Sequence, residues 1–221
     1  MLADPPQERG FGSSTADIGS SLYALGQAAG KSFDEDQIAE IALRVEPSDS
    51  TLFPGLSLFD HREGRLRQLW GHAPDLQVIV LDPGGRVDTL AFNQQDFSRQ
   101  LTKLAPRHQE AFSLLREGLE TGDHQAVGQA ATLSALAHQH ILHSPLLEAV
   151  HPLLGEMGAL GVCRAHSGTL VGILHDPRQR PIDSVVQFLR ERVSSQIQIH
   201  HHQLVSGGPR WLTETKQPIR S

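Results

Sequence analysis

A run of glycines and hydroxyl residues, Gly10-Phe11-Gly12-Ser13-Ser14-Thr15, passes without a break into the apolar spacing of a helix at Ile18, Leu22, Leu25, Ala28 and Ala29. No other stretch constrains the chain as strongly. Glycine admits backbone angles that other residues avoid, and the first turn of a helix carries N–H groups with no partner inside it. Such a loop delivers several N–H donors and the positive end of a helix dipole to one point. That point suits an anion, and phosphate is the usual guest. The plainer alternative is a glycine turn in which Ser13 or Ser14 simply caps the helix.

The spacing predicts a first helix from about Ser14 to Ala29, stopped by Gly30. Ser32 and Glu35 offer a capping box for a second helix through Ile38, Ile41, Ala42 and Val45. This helix ends at Glu46, because Pro47 disfavours helical geometry just before it. Leu56, Leu58 and Leu66, around Arg62-Glu63-Gly64, suggest a hairpin. Residues 76–81 read as a buried strand closed by Asp82-Pro83-Gly84-Gly85. Residues 94–158 read as helical, with breaks near Pro106, Gly122 and Pro145. Strands at 161–163 and 169–174, a helix at 184–195 and a strand at 197–205 complete the pattern. Strands and helices mix without regular βαβ alternation, which points to an α+β class.

Composition removes several functions. The 221 residues carry a net charge of −6 with Arg and Lys scattered, unlike a nucleic-acid footprint. The single cysteine, Cys163, excludes an internal disulfide and a cysteine-built zinc site, and its apolar setting suits a small core residue. No apolar run approaches the roughly 20 residues that span a bilayer. The start, Met1 to Pro6, has neither the basic nor the apolar segment of a secretory leader, so a cytoplasmic location is expected. In His200-His201-His202, strand neighbours face opposite sides and at most two share a face; no carboxylate or cysteine completes a metal set. His138, His140 and His143 read as helix-surface or packing residues.

The glycine loop lacks the Gly-Lys-Ser/Thr ending of a Walker A motif. Its arrangement, Pro6-x-x-x-Gly10-x-Gly12-Ser13-Ser14, resembles the second motif of the GHMP small-molecule kinases. The likeness continues through Gly12 to Ile18, Glu46-Pro47-Ser48-Asp49-Ser50-Thr51, Leu58-Phe59-Asp60-His61, the stretch Asp82 to Asn93, and Ala165-His166-Ser167-Gly168-Thr169-Leu170-Val171-Gly172 at the place of the third, glycine-rich motif. It runs from about Pro6 to Asp176 and is similar in particular to the L-threonine kinases of cobalamin biosynthesis.

The resemblance implies a fold and a chemistry. The fold is the GHMP kinase fold, with an N-terminal part like domain 2 of ribosomal protein S5, incomplete here, and a ferredoxin-like C-terminal part. The expected division is 1–75, 76–206 and a flexible tail, 207–221. ATP, Mg²⁺ and a small hydroxyl amino acid are the implied partners, with L-threonine as acceptor. Arg9, Gly10, Gly12, Ser13, Ser14 and Thr15 are implied for the ATP phosphates. Ser14 is implied as a magnesium ligand, together with Glu46 or Glu40, the first preferred. Asp49 lies where many of these kinases carry a catalytic aspartate; its plainer role is to cap a turn after Pro47. Ser167, Gly168 and Thr169 are assigned to substrate contact or loop closure, or else to a tight turn, and His166 is a positioned loop histidine. Family members carry a longer stretch ahead of the phosphate loop, so a chain missing its front is expected, with a naturally short protein as the alternative. Another small alcohol such as homoserine, or nucleotide binding without turnover, is the alternative.

Overall fold

The apolar spacing after the glycine loop folds as α1 (Ser13–Ala28) in the computed structural model of the chain, which describes residues 10, 12–85, 87, 91–92, 94–194 and 196–210. Gly30, at φ +65°, turns the chain after α1 as expected. The next helix, α2 (Glu35–Val45), starts differently from expectation. Its N-cap is Asp34, not Ser32. The Asp34 carboxylate accepts the Gln37 N–H at 2.8 Å, and the Gln37 side chain accepts the Asp34 N–H at 3.1 Å. Aspartate caps as well as serine does, and Asp34 stands directly before the periodic face. The helix ends where Pro47 requires, with Glu46 as extended C-cap.

The chain falls into two units. One holds Thr15–Leu69 with Ser206–Ser221; the other holds Met1–Ser14 with Trp70–Val205. In the first, Ile38, Ala39 and Ala42 of α2 bury against Leu52 and Phe53, with Ile18 and Leu22 of α1 beside them. Full burial of each large aliphatic or aromatic side chain contributes about 1.5–3 kcal/mol. Gly19 lets α1 approach closely, since a Cβ there would lie 2.7 Å from Leu52 Cδ2. The expected hairpin is present as β1 (Leu56–Phe59) and β2 (Arg67–Gly71), paired in a two-stranded sheet. Leu66 belongs to the connection, not to a strand. The Asp60 carboxylate organises that connection by accepting N–H groups of Arg62, Glu63 and Arg65. Of the expected tail, Gly207 and Gly208 donate to the Gly55 and Thr51 carbonyls at 3.0 and 2.9 Å, and residues 211–221 lie outside the described residues.

The second unit is built on four antiparallel strands, β3 (Gln77–Asp82), β4 (Gly161–Arg164), β5 (Val171–His175) and β6 (Gln198–Gln203), in the order β4-β5-β3-β6. Between β3 and β4 run α3 (Ser98–Thr121), α4 (His124–His138), α5 (Pro145–Val150) and the short α6 (Leu154–Met157); α7 (Ile182–Arg192) joins β5 to β6. This β-α-β-β-α-β succession is the ferredoxin-like arrangement expected for the later part of the chain. Ile79, Leu81, Val162, Val171 and Ile173 bury one sheet face against Leu147, Val150, Met157, Val185 and Leu189. Pro106 does not break α3. Its missing N–H removes one helical bond on an exposed turn, while Leu104, Ala111 and Gly118 are buried along the same helix. The breaks fall at Gly122, left-handed at φ +72°, and before Pro145, which occupies the first turn of α5 behind the Ser144 cap.

Helix α4 sits directly on β4. A Cβ on Gly161 would lie 1.9 Å from the Gly128 carbonyl oxygen, and one on Gly128 would lie 2.2 Å from that of Leu160. Thr132 bridges the contact, accepting the Val162 N–H at 3.0 Å and donating to the Gly128 carbonyl at 2.9 Å. This seating fixes the C-terminal end of α4 beside the turn that follows β4.

Candidate active site

Within the larger unit, the glycine loop meets the third motif. Gly10 has φ +100° and Gly12 φ +70°, angles that favour glycine. A Cβ on Gly10 would fall 2.3 Å from the Ala165 Cβ and 3.3 Å from the Gly168 Cα. The Gly10 backbone therefore rests on the Ala165 methyl group and the Gly168 backbone, with no room for a side chain. The opposing turn, residues 165–170, is closed by the Ala165 N–H donating to the Leu170 carbonyl at 3.1 Å. Ser13 is buried at the first position of α1 while Ser14 is exposed. Gly168 is buried, Ser167 and Thr169 are half-buried, and the Thr169 hydroxyl oxygen is buried with no hydrogen-bond partner among the described residues. Gly10 is thus brought against Ala165 and Gly168, and Gly12, Ser13 and Ser14 follow it within four residues along the chain.

The smaller unit holds the acidic residues. Asp49 precedes a single 3₁₀ turn, Ser50–Leu52, yet its side chain makes no capping hydrogen bond. Its carboxylate is left for another use. The Asp49 N–H instead donates to the hydroxyl of buried Thr15 at 3.0 Å. The neighbouring Ser48 N–H donates to the His61 carbonyl at 3.0 Å, and the Ser48 hydroxyl donates to the Glu46 carbonyl at 3.1 Å. These contacts gather Asp49, Glu46 and His61. Asp49 reaches the surface, but protein crowds it enough that desolvation is the main cause of a raised pKa. His61 opposes that rise and Glu46 adds to it. Burial in turn lowers the His61 pKa, with Arg62 acting in the same direction against Asp49 and Asp60. A carboxylate held above its ordinary range beside an imidazole is suited to accepting a proton.

The other candidates divide clearly. Arg9 lies outside the described residues. Glu40 is exposed and paired with Arg44 at 2.5 Å, along a cavity of about 390 Å³ that Phe53, Phe59 and Arg67 also line; Glu46, not Glu40, acts on Asp49. Cys163 lies on β4, and burial pushes its thiol up to about 11, far from a nucleophile's range. His200 and His202 stack on one face of β6 with ring centres 6.4 Å apart. Among the described residues, no three His, Cys, Asp or Glu side chains are grouped to hold a metal ion, and no helix is long and apolar enough to cross a membrane. Two residues carried no assigned role in the sequence. His61 stood in a quoted stretch without one, and His138 read as packing although its Nε2 meets the His166 carbonyl at 2.7 Å.

Comparison with known proteins identifies the family. Residues 2–53 match the GHMP kinases N terminal domain. The L-threonine kinase of Salmonella typhimurium is 31% identical over 205 residues, which cover 92% of this chain and 68% of that protein. The chain belongs to the GHMP kinase family. The family together with its L-threonine kinase relatives marks it as a phosphotransferase with an alcohol group as acceptor. The L-threonine kinase of Citrobacter freundii is also 31% identical, over 187 residues covering 85% of this chain and 65% of that relative. The chain therefore spans about two thirds of the length of these relatives. Among solved structures, a homoserine kinase from Cytophaga hutchinsonii superposes with a TM-score of 0.71 at 18% identity, over 93% of this chain and 69% of that one. The L. major mevalonate kinase gives 0.70 at 19%, over 93% and 68%. At such identities these two structures establish the GHMP kinase fold alone.

Proposed function

We propose that this family member transfers the γ-phosphate of ATP to the hydroxyl of L-threonine, giving O-phospho-L-threonine and ADP. The observation that carries the reading is the seating of Gly10 on Ala165 and Gly168 at the start of α1. Both glycine-rich motifs of the family meet there, at a spacing that admits no Cβ on Gly10. In the reaction the threonine oxygen attacks the γ-phosphorus, its proton passes to the Asp49 carboxylate, and the bond from phosphorus to the bridging oxygen of ADP breaks. Backbone N–H groups of Gly12, Ser13, Ser14 and Thr15 hold the phosphates, with Arg9 as an added cation and the 167–169 turn closing over them. Such a transfer depends on in-line positioning and charge neutralisation more than on covalent chemistry.

The Ser14 hydroxyl and the Glu46 carboxylate would hold Mg²⁺, and oxygen is the donor type that suits a hard ion held by one or two carboxylates, water and nucleotide phosphates. When bound, the ion neutralises charge on the phosphates. Asp49 accepts the substrate proton only as its carboxylate, so activity requires a pH above its raised pKa. Two L-threonine kinases at 31% identity support threonine as acceptor; a place in cobalamin synthesis and a cytoplasmic location go with that reading.

The test offers ATP and Mg²⁺ to the purified chain with L-threonine and L-homoserine in parallel, and identifies products by mass spectrometry. Phosphothreonine is expected. Phosphohomoserine in its absence overturns the acceptor, and no phosphorylated amino acid with either overturns the kinase reading for this chain.

A further inference from the structure

The glycine loop rests on the turn after β4, and that turn is itself held from the end of α4. The His138 Nε2 lies 2.7 Å from the His166 carbonyl oxygen. A carbonyl only accepts, so the ring must donate from Nε2. Burial lowers the His138 pKa, and Arg164 and His108 lower it further against the hydrogen bond to His166. The carbonyl contact puts a proton on Nε2, and the lowered pKa favours the neutral ring. Buried Phe92 packs edge-on against both His138 and His166, with centroids 6.4 and 5.6 Å away. Arg164 fastens the root of the same turn to the same helix end. Its guanidinium donates to the Gln139 side chain at 2.8 Å and to the Leu142 carbonyl at 2.5 Å. The Gly128–Gly161 contact fixes α4 on β4, so its last residue, His138, has little freedom to follow a drifting loop.

We infer that His138 is a positioning residue: its Nε2–H pins the His166 carbonyl and so sets the 165–168 turn on which Gly10 of the glycine loop rests. The imidazole touches no reacting atom. It acts through two layers of backbone, the turn and then the loop. The consequence for ATP rests on the phosphate-binding role proposed above; the consequence for the turn does not.

Two variants of the full chain separate the hydrogen bond from simple filling of space. His138→Leu keeps the bulk and loses the donor, while His138→Gln returns an N–H donor near the Nε2 position. Amide hydrogen exchange is followed in segments 10–14 and 165–170, alongside equilibrium ATP binding and the threonine KM. In the Leu variant both segments are expected to exchange faster. ATP binding weakens about tenfold, as expected for one lost hydrogen bond transmitted to the site, with the threonine KM unchanged. The Gln variant is expected to recover most of both effects. If the Leu variant does not fold, His138→Asn replaces it, because the shorter amide cannot reach the carbonyl. Exchange and ATP binding at the wild-type level in the donor-free variant overturn the inference, as does a Gln variant no better than Leu. If wild type itself fails to bind ATP while the exchange pattern follows the donor, the positioning stands and the phosphate reading falls.

Discussion

The glycine loop and the Asp49 cluster belong to one proposed chemistry but are built in opposite ways. Around Gly10 the function lies in the main chain: positive φ angles, N–H groups and a gap too narrow for a methyl group. Around Asp49 it lies in side chains, where the rise that desolvation causes in a carboxylate's pKa is opposed by His61 and reinforced by Glu46. The first region selects residues by what they lack, the second by how they titrate. On the proposed function, damage to the first should remove nucleotide binding, whereas damage to the second should leave binding and remove turnover.

The largest break in that comparison comes at Gly10. Gly10→Ala places a methyl carbon 2.3 Å from the Ala165 Cβ on a backbone already at φ +100°. Strain of this kind costs about 1–3 kcal/mol before the collision is counted, so ATP affinity by calorimetry should fall about 100-fold or more. Adding Ala165→Gly removes the collision but not the backbone strain, and should return roughly a factor of ten.

A smaller effect is expected at Thr15. Thr15→Val leaves the Asp49 N–H without its buried acceptor, which lies 3.0 Å away in the wild type. Losing it should destabilise the chain by about 1–2 kcal/mol in denaturant unfolding. Turnover should fall several-fold as Asp49 loses its placement, with ATP binding spared.

The smallest effect is a shift in pH dependence. Desolvation and Glu46 raise the Asp49 pKa, and His61 lowers it. The general base works only when deprotonated, so kcat falls as pH drops through that pKa. His61→Gln removes the lowering partner, and the acidic limb of the kcat profile should move to higher pH. A shift to lower pH, or none, would separate His61 from Asp49 functionally.

Much of this was legible in the sequence, and the gaps have identifiable causes. The boundaries of α1 and α2 at Gly30 and Pro47 follow from single residues with strong local rules. The first cap of α2 did not, because Ser32 and Asp34 both satisfy the same rule and only side-chain geometry decides between them. Pro106 misled because a local cost was outweighed by burial along the rest of α3. Asp49 was marked as a candidate by its place after Pro47 in a family-like stretch, and its role is a proposal. His61 was not, because its approach to Asp49 depends on a main-chain bond between Ser48 and His61, residues far apart in sequence. His138 showed only helix periodicity; its partner is a backbone carbonyl 28 residues later, which no side chain announces.

The most direct test of this division compares wild type with Asp49→Asn for both ATP affinity and single-turnover phosphoryl transfer to L-threonine. The account predicts ATP affinity within about threefold of wild type, since no phosphate contact is assigned to Asp49. It predicts transfer slowed by about 100- to 10,000-fold, the usual contribution of a general base. Transfer at the wild-type rate in Asp49→Asn, or loss of ATP binding together with turnover, would contradict it.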